Sequence, residues 1–99
     1  MIPYSRQFIN SKDIKSVIKV LKSKFLTQGP MVEIFEKKLK KYAGAKYATA
    51  VSSATAALHI SCLALNLKKE DFLWTSPISF VASANCALYC GAKVDFIDI

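Results

Sequence analysis

The residues best suited to chemistry lie in Val51-Ser-Ser-Ala-Thr-Ala-Ala-Leu58, about midway along a 99-residue chain. Small side chains where a strand turns into a helix let backbone N–H groups approach a ligand. The helix start adds positive potential. Ser52, Ser53 and Thr55 contribute hydroxyl donors. A phosphate dianion suits this set, which lacks the Lys and the glycines of a P-loop. An ordinary helix cap accounts for the same residues, because Ser and Thr are common caps. A second link, Thr75-Ser-Pro-Ile-Ser-Phe-Val-Ala-Ser83, also joins a strand to a helix. In open α/β folds such links at the carboxyl ends of strands build the ligand crevice. Phe80 in this link either stacks on a planar ring or packs as core.

Other reactive side chains are less organised. His59 stands alone on a helix, expected as a packed or partly exposed residue. Cys86 and Cys90 lie four apart on one helix face. That spacing suits a metal, but a structural zinc needs about four ligands and no others lie nearby. Core cysteines and no metal site are therefore expected. The 3 Cys are an odd number, and Met1-Ile-Pro-Tyr-Ser-Arg6 does not read as a secretory leader. The longest apolar stretch, 56–67, is interrupted by His59, Ser61 and Asn66 and falls short of the roughly 20 residues that span a bilayer. These features lead us to expect a soluble, cytoplasmic protein with reduced thiols and no membrane partner.

The elements that must position these residues follow from periodicity and charge. Residues 1–46 carry 11 Lys and Arg against 3 Asp and Glu, net +8, whereas 47–99 carry 3 against 4, net −1. Two pieces of different character are thus expected, joined near Lys46. In the first, Ile14, Val17, Ile18 and Leu21 share a helix face, opposite Lys12, Lys15, Lys19 and Lys22. Asn10 or Ser11 caps this helix, which is expected to run to Lys24. A second helix starts at Pro30 or Met31, presents Val32, Phe35, Leu39 and Tyr42, and stops at Gly44. From Lys46 onward the pattern reads strand 47–51, helix 53–66, strand 72–75, helix 80–89 and strand 93–97. Leu58, Cys62 and Leu65 form an apolar face of the first of these helices, and Trp74 is expected in the strand core. The order β-α-β-α-β with short links predicts an α/β fold with parallel strands and right-handed crossovers.

Hydrophobic residues make up 53% of the chain, with 3 Gly and 3 Pro, which excludes a disordered or low-complexity class. A domain this small buries only about 60–70% of its unfolded surface. Part of the apolar material is therefore expected to face a partner or further chain. The pattern stops inside a strand, with no closing helix, although parallel sheets are normally covered on both faces. We expect the 99 residues to be a piece of a longer protein.

Taken together, these segments resemble the N-terminal part of the DegT-type nucleotide-sugar aminotransferases, a branch of the fold-type-I pyridoxal-phosphate (PLP) enzymes. The resemblance covers the whole chain. It rests on Ile2-Pro-Tyr-Ser-Arg6, Leu26-Thr-Gln-Gly-Pro30, Phe35-Glu36 and Ser53-Ala-Thr-Ala-Ala-Leu58. It continues through Thr75-Ser-Pro-Ile-Ser-Phe-Val-Ala82 and Val94-Asp-Phe-Ile-Asp98. The resemblance implies that 1–46 form an N-terminal helical segment and 47–99 the first part of the PLP-binding large domain. It implies amine transfer to a UDP-linked 4-keto sugar, usually from glutamate, by a homodimer whose active sites share residues of both subunits.

The resemblance also assigns residues. The turn with Ser53, Ala54 and Thr55 binds the PLP phosphate, and Phe80 packs on the pyridine ring. Tyr4, Lys24, Phe25, Leu26, Thr27 and Ala54 meet the nucleotide sugar, with Lys24 either facing the diphosphate or serving as a solvated helix end. The family's Schiff-base Lys and its pyridine-pairing Asp lie in motifs that none of the 13 lysines, nor Asp95 or Asp98, match. The resemblance therefore implies no catalytic residue here and no transamination by this chain alone. The chain departs from the family pattern at Lys68-Lys-Glu-Asp-Phe72, which replaces a Gly-containing acidic turn, and Ala54 stands where Gly is commoner.

A different class, a small basic protein binding nucleic acid or an acidic partner through 11–42, would show binding that weakens steeply with salt. It would also want Arg or aromatic readers beside the lysines. The chain has one Arg, and its aromatics mostly occupy apolar faces. No nucleic-acid partner is expected.

Overall fold

The computed structural model describes residues 2–98, which divide into two compact units, Met1–Ala50 and Val51–Ile99. The first unit holds α1 (Ser11–Leu21) and α2 (Pro30–Ala43). Asn10 and Asp13 form a reciprocal cap at the start of α1. The Asn10 Oδ1 accepts from the N–H groups of Lys12 and Asp13 at 2.8 and 3.3 Å, and the Asn10 N–H donates to Asp13 Oδ2 at 2.9 Å. The helix ends at Leu21 rather than at the expected Lys24. Two residues on, the Ser23 hydroxyl captures the backbone of Phe25, giving the chain local hydrogen bonds that compete with another helical turn. Pro30 opens α2, and Gly44 closes it at φ 62, the left-handed conformation that glycine adopts without steric cost.

In the second unit, α3 (Ala54–Ala64) leads to β1 (Phe72–Thr75), α4 (Ala82–Tyr89) and β2 (Lys93–Phe96). The strands pair in parallel with Leu73 opposite Val94 and Trp74 opposite Asp95. Asn66, at φ 59, turns the chain out of α3, and the Leu67 N–H returns to the Cys62 carbonyl at 3.0 Å. The helix accordingly stops two residues before Asn66. The turn 68–71 closes without glycine because the Asp71 carboxylate accepts from the Lys68 N–H at 2.9 Å. α4 packs on α3 and on both strands.

The expected strand at 47–51 does not form. A strand needs a ladder partner, and among the described residues β1 and β2 pair only with each other. The Ala50 N–H donates instead to Glu36 Oε1 of α2 at 2.8 Å.

The buried core is small and made of small side chains: Cys62, Ala82, Cys86, Ala87 and Ala92. Helices lined with Ala and Cys approach closely, so little large apolar surface is needed to seal their contact. Leu65 and Trp74, expected in apolar faces, are 81% and 66% exposed. The apolar face of α1 is exposed as well. Periodicity reports which face is apolar, and burial depends on what packs against it.

Candidate functional site

Ser53 is the N-cap of α3, in extended backbone, and its hydroxyl oxygen accepts from the Ala56 N–H at 3.1 Å. The Ala57 N–H is the first to reach back to the Ser53 carbonyl, at 3.1 Å. Ala54 and Thr55 therefore occupy the first two helical positions, whose N–H groups have no intrahelical acceptor. Thr55 is half-buried, and its hydroxyl makes no hydrogen bond among the described residues. Capping and ligand binding draw on different atoms here. The cap uses the Ser53 oxygen lone pair, while two backbone N–H groups, the Thr55 hydroxyl and the Ser53 O–H proton stay available to an anion.

The link from β1 to α4 lies in the same unit. Ser76 Oγ accepts from the Ile78 N–H at 3.1 Å, and the Ser79 and Ser83 hydroxyls share a hydrogen bond of 3.2 Å. These contacts shape a depression of about 220 Å³ lined by Ser76, Pro77, Ser79, Phe80, Ser83 and Phe96 among others. Phe80 is 75% exposed, so it is not core. Its ring presents free surface beside hydroxyl groups.

Tyr4 and 24–27 belong to the first unit, where Tyr4, Phe25 and Leu26 are exposed, as are Lys24 and Thr27. Ser53, Ala54, Thr55 and Phe80 belong to the second.

The three cysteines come together where α3 meets α4. Spacing paired Cys86 with Cys90, but Cys62 joins them from the other helix. Its thiol is pushed up from 9.0 to about 11, first by burial and then by hydrogen bonding to Cys86 and the neighbouring thiols' charge. Such thiols are poor nucleophiles and poor ligands. No group of three or more His, Cys, Asp or Glu among the described residues is placed to hold a metal. His59 packs edge-on against Tyr89, with ring centroids 5.3 Å apart. No described helix is long and apolar enough to cross a membrane.

A parallel strand pair covered by α4, with a small-residue turn at a helix start and an exposed aromatic at the next strand-to-helix link, defines an α/β segment of the open-sheet kind. Its family is explicit in the comparison with known proteins. The chain belongs to the DegT/DnrJ/EryC1/StrS aminotransferase family, which it matches over residues 7–99.

Over all 99 residues it is 48% identical to a UDP-4-amino-4,6-dideoxy-N-acetyl-beta-L-altrosamine transaminase of Campylobacter jejuni, covering 26% of that protein. It is 40% identical over 98 residues to the spore coat polysaccharide biosynthesis protein SpsC of Bacillus subtilis, covering 25% of it. Among solved structures, a Streptococcus pneumoniae protein assigned as a sugar aminotransferase, solved in PLP and PMP forms, superposes with a TM-score of 0.91 at 28% identity. The match covers 99% of this chain and 25% of that one. The chain thus spans about a quarter of the length of these relatives.

Proposed function

We propose that the chain supplies the cofactor-phosphate turn and the nucleotide-sugar loop of a PLP-dependent aminotransferase acting on a UDP-linked 4-keto sugar, as in pseudaminic acid biosynthesis. The observation that carries this reading is the start of α3, where the Ala54 and Thr55 N–H groups and the Thr55 hydroxyl are unspent among the described residues. That donor set fits a phosphate dianion, and the exposed Phe80 fits one face of a planar ring. The likeness to the altrosamine transaminase supports the sugar class.

In this reading Ala54 and Thr55 donate their N–H groups to the phosphate, and Thr55 and Ser53 add O–H donors. Charge-assisted bonds of this kind are about twice as strong as neutral ones. Phe80 limits ring tilt and excludes water from one face. Bound PLP would supply the electron sink for moving an amine. Tyr4, Lys24, Phe25, Leu26, Thr27 and Ala54 contact the nucleotide sugar, with the Lys24 ammonium meeting the diphosphate. The complete enzyme is a cytoplasmic homodimer that draws its amine from glutamate. No lysine of this chain holds the cofactor covalently, so the 99 residues do not transaminate alone.

Titration of PLP, followed through the single Trp74, tests the reading. Saturable binding should be displaced by inorganic phosphate, and Thr55→Val should weaken it about fivefold, the worth of one hydrogen bond. Binding indifferent to both would sink the phosphate turn. A Lys-linked absorbance band near neutral pH that borohydride abolishes would sink the assignment of no cofactor lysine.

A further inference from the structure

The eight residues between α1 and α2 contain a turn whose shape is set by two residues outside the expected contact set. The Ser23 hydroxyl donates to the Phe25 carbonyl at 3.0 Å and accepts from the Phe25 N–H at 3.4 Å, bridging Lys24. Gln28 then takes φ 48, and the chain doubles back until Gly29 lies against Phe25. A Cβ on Gly29 would sit 2.9 Å from the Phe25 Cβ and 3.2 Å from its carbonyl oxygen. Gly29 itself has φ −81 and ψ 176, a conformation open to any residue. Its lack of a side chain matters through the approach to Phe25, not through backbone strain.

We infer that Ser23 and Gly29 are positioning residues that hold the turn of Lys24 to Thr27 in the shape that meets a nucleoside-diphosphate sugar. The inference rests on the proposed role of that turn. Phe25 is exposed and, with Val20, Met31 and Ile34, lines a shallow depression between α1 and α2. Residues 24, 26 and 27 are exposed in a turn held by the Ser23 hydroxyl at one end and by the Gly29–Phe25 contact at the other. Added bulk at residue 29 must displace the Phe25 backbone, because the near atoms are its Cβ and carbonyl rather than a flexible tip. Such a displacement carries the adjacent tip with it. Preorganising a contact loop in this way reduces the ordering cost of binding.

Isothermal titration of the protein with UDP-N-acetylglucosamine tests the inference. Gly29→Ala and Ser23→Ala should each weaken binding about fivefold, near 1 kcal/mol, while Ser23→Thr, which keeps the hydroxyl, should bind as the unsubstituted chain does. Ser23 is exposed, so its variants test the clamp without risk to folding, and circular dichroism checks that Gly29→Ala keeps its helices. Unchanged affinity in both alanine variants overturns the positioning role and leaves the substrate reading intact. Equal losses in Ser23→Ala and Ser23→Thr overturn the hydroxyl clamp. Absence of binding by the unsubstituted chain overturns the substrate reading together with this inference.

Discussion

Replacing Glu36 with Ala should loosen the segment that leads into the start of α3. The Glu36 carboxylate accepts from the Ala50 N–H at 2.8 Å, across 14 residues of chain, and both residues are half-buried. A hydrogen bond to a charged group is worth about 1.5–3 kcal/mol when its partner would otherwise be stranded. Water can reach a half-buried amide, so the loss should fall near the lower bound, about 1.4 kcal/mol or tenfold in the local opening equilibrium. Amide hydrogen exchange at Ala50 reads that equilibrium directly. Glu33 is the internal control, on the same helix and 72% exposed, paired with Lys37 at 3.6 Å. An exposed pair of this kind contributes a few tenths of a kcal/mol. Glu33→Ala should therefore leave Ala50 protection within about twofold, and Glu36→Gln, which keeps a neutral acceptor, should fall between the two. Equal protection of Ala50 in the parent and in Glu36→Ala would refute the reasoning. So would an equal loss on substituting Glu33.

Ser53→Ala removes the cap of α3 and should cost about 1 kcal/mol, seen as faster exchange of the Ala56 amide, whereas Ser53→Asp should retain most of it. Gly44→Ala forces a side chain into φ 62 and should destabilise α2 by about 1 kcal/mol, measured by helical dichroism on heating. The folded chain keeps the Cys62 proton up to about 11, while an unfolded chain loses it near 9.0. Stability from this thiol should thus be complete below pH 9.0 and decline as pH rises toward about 11. Cys62→Ala should flatten that decline in thermal midpoints. In thiol labelling near neutral pH the half-buried Cys90 should react before the buried Cys62 and Cys86.

Much of the local structure is legible in the residues themselves, for identifiable reasons. Asn10 with Asp13, Pro30, Gly44 and Ser53 mark helix ends through side-chain or backbone chemistry that acts within a few residues. The strand 72–75 and the parallel pairing follow from short links that allow few topologies. Ser23 ended α1 early because a hydroxyl two residues from Phe25 competes with the helix, a signal present in the sequence but easily outweighed by periodicity. Trp74, expected in the strand core, is exposed, and only the structure decided between the two readings of Phe80, because an aromatic on a strand or helix start carries no label for the presence of a neighbour.

By itself the sequence determined the capped helices, the parallel strands and the small-residue turn, because caps, glycine stops and side-chain period act over a few residues. Family membership was also legible, since several motifs recur in order along the chain. Only the tertiary structure decided that 47–51 lacks a ladder, that Glu36 answers the Ala50 amide, and that Cys62 joins Cys86 and Cys90. It alone placed Gly29 against Phe25. Each of these depends on which atoms meet across the chain, and hydrogen bonds, burial and steric contact are decided by distance in space.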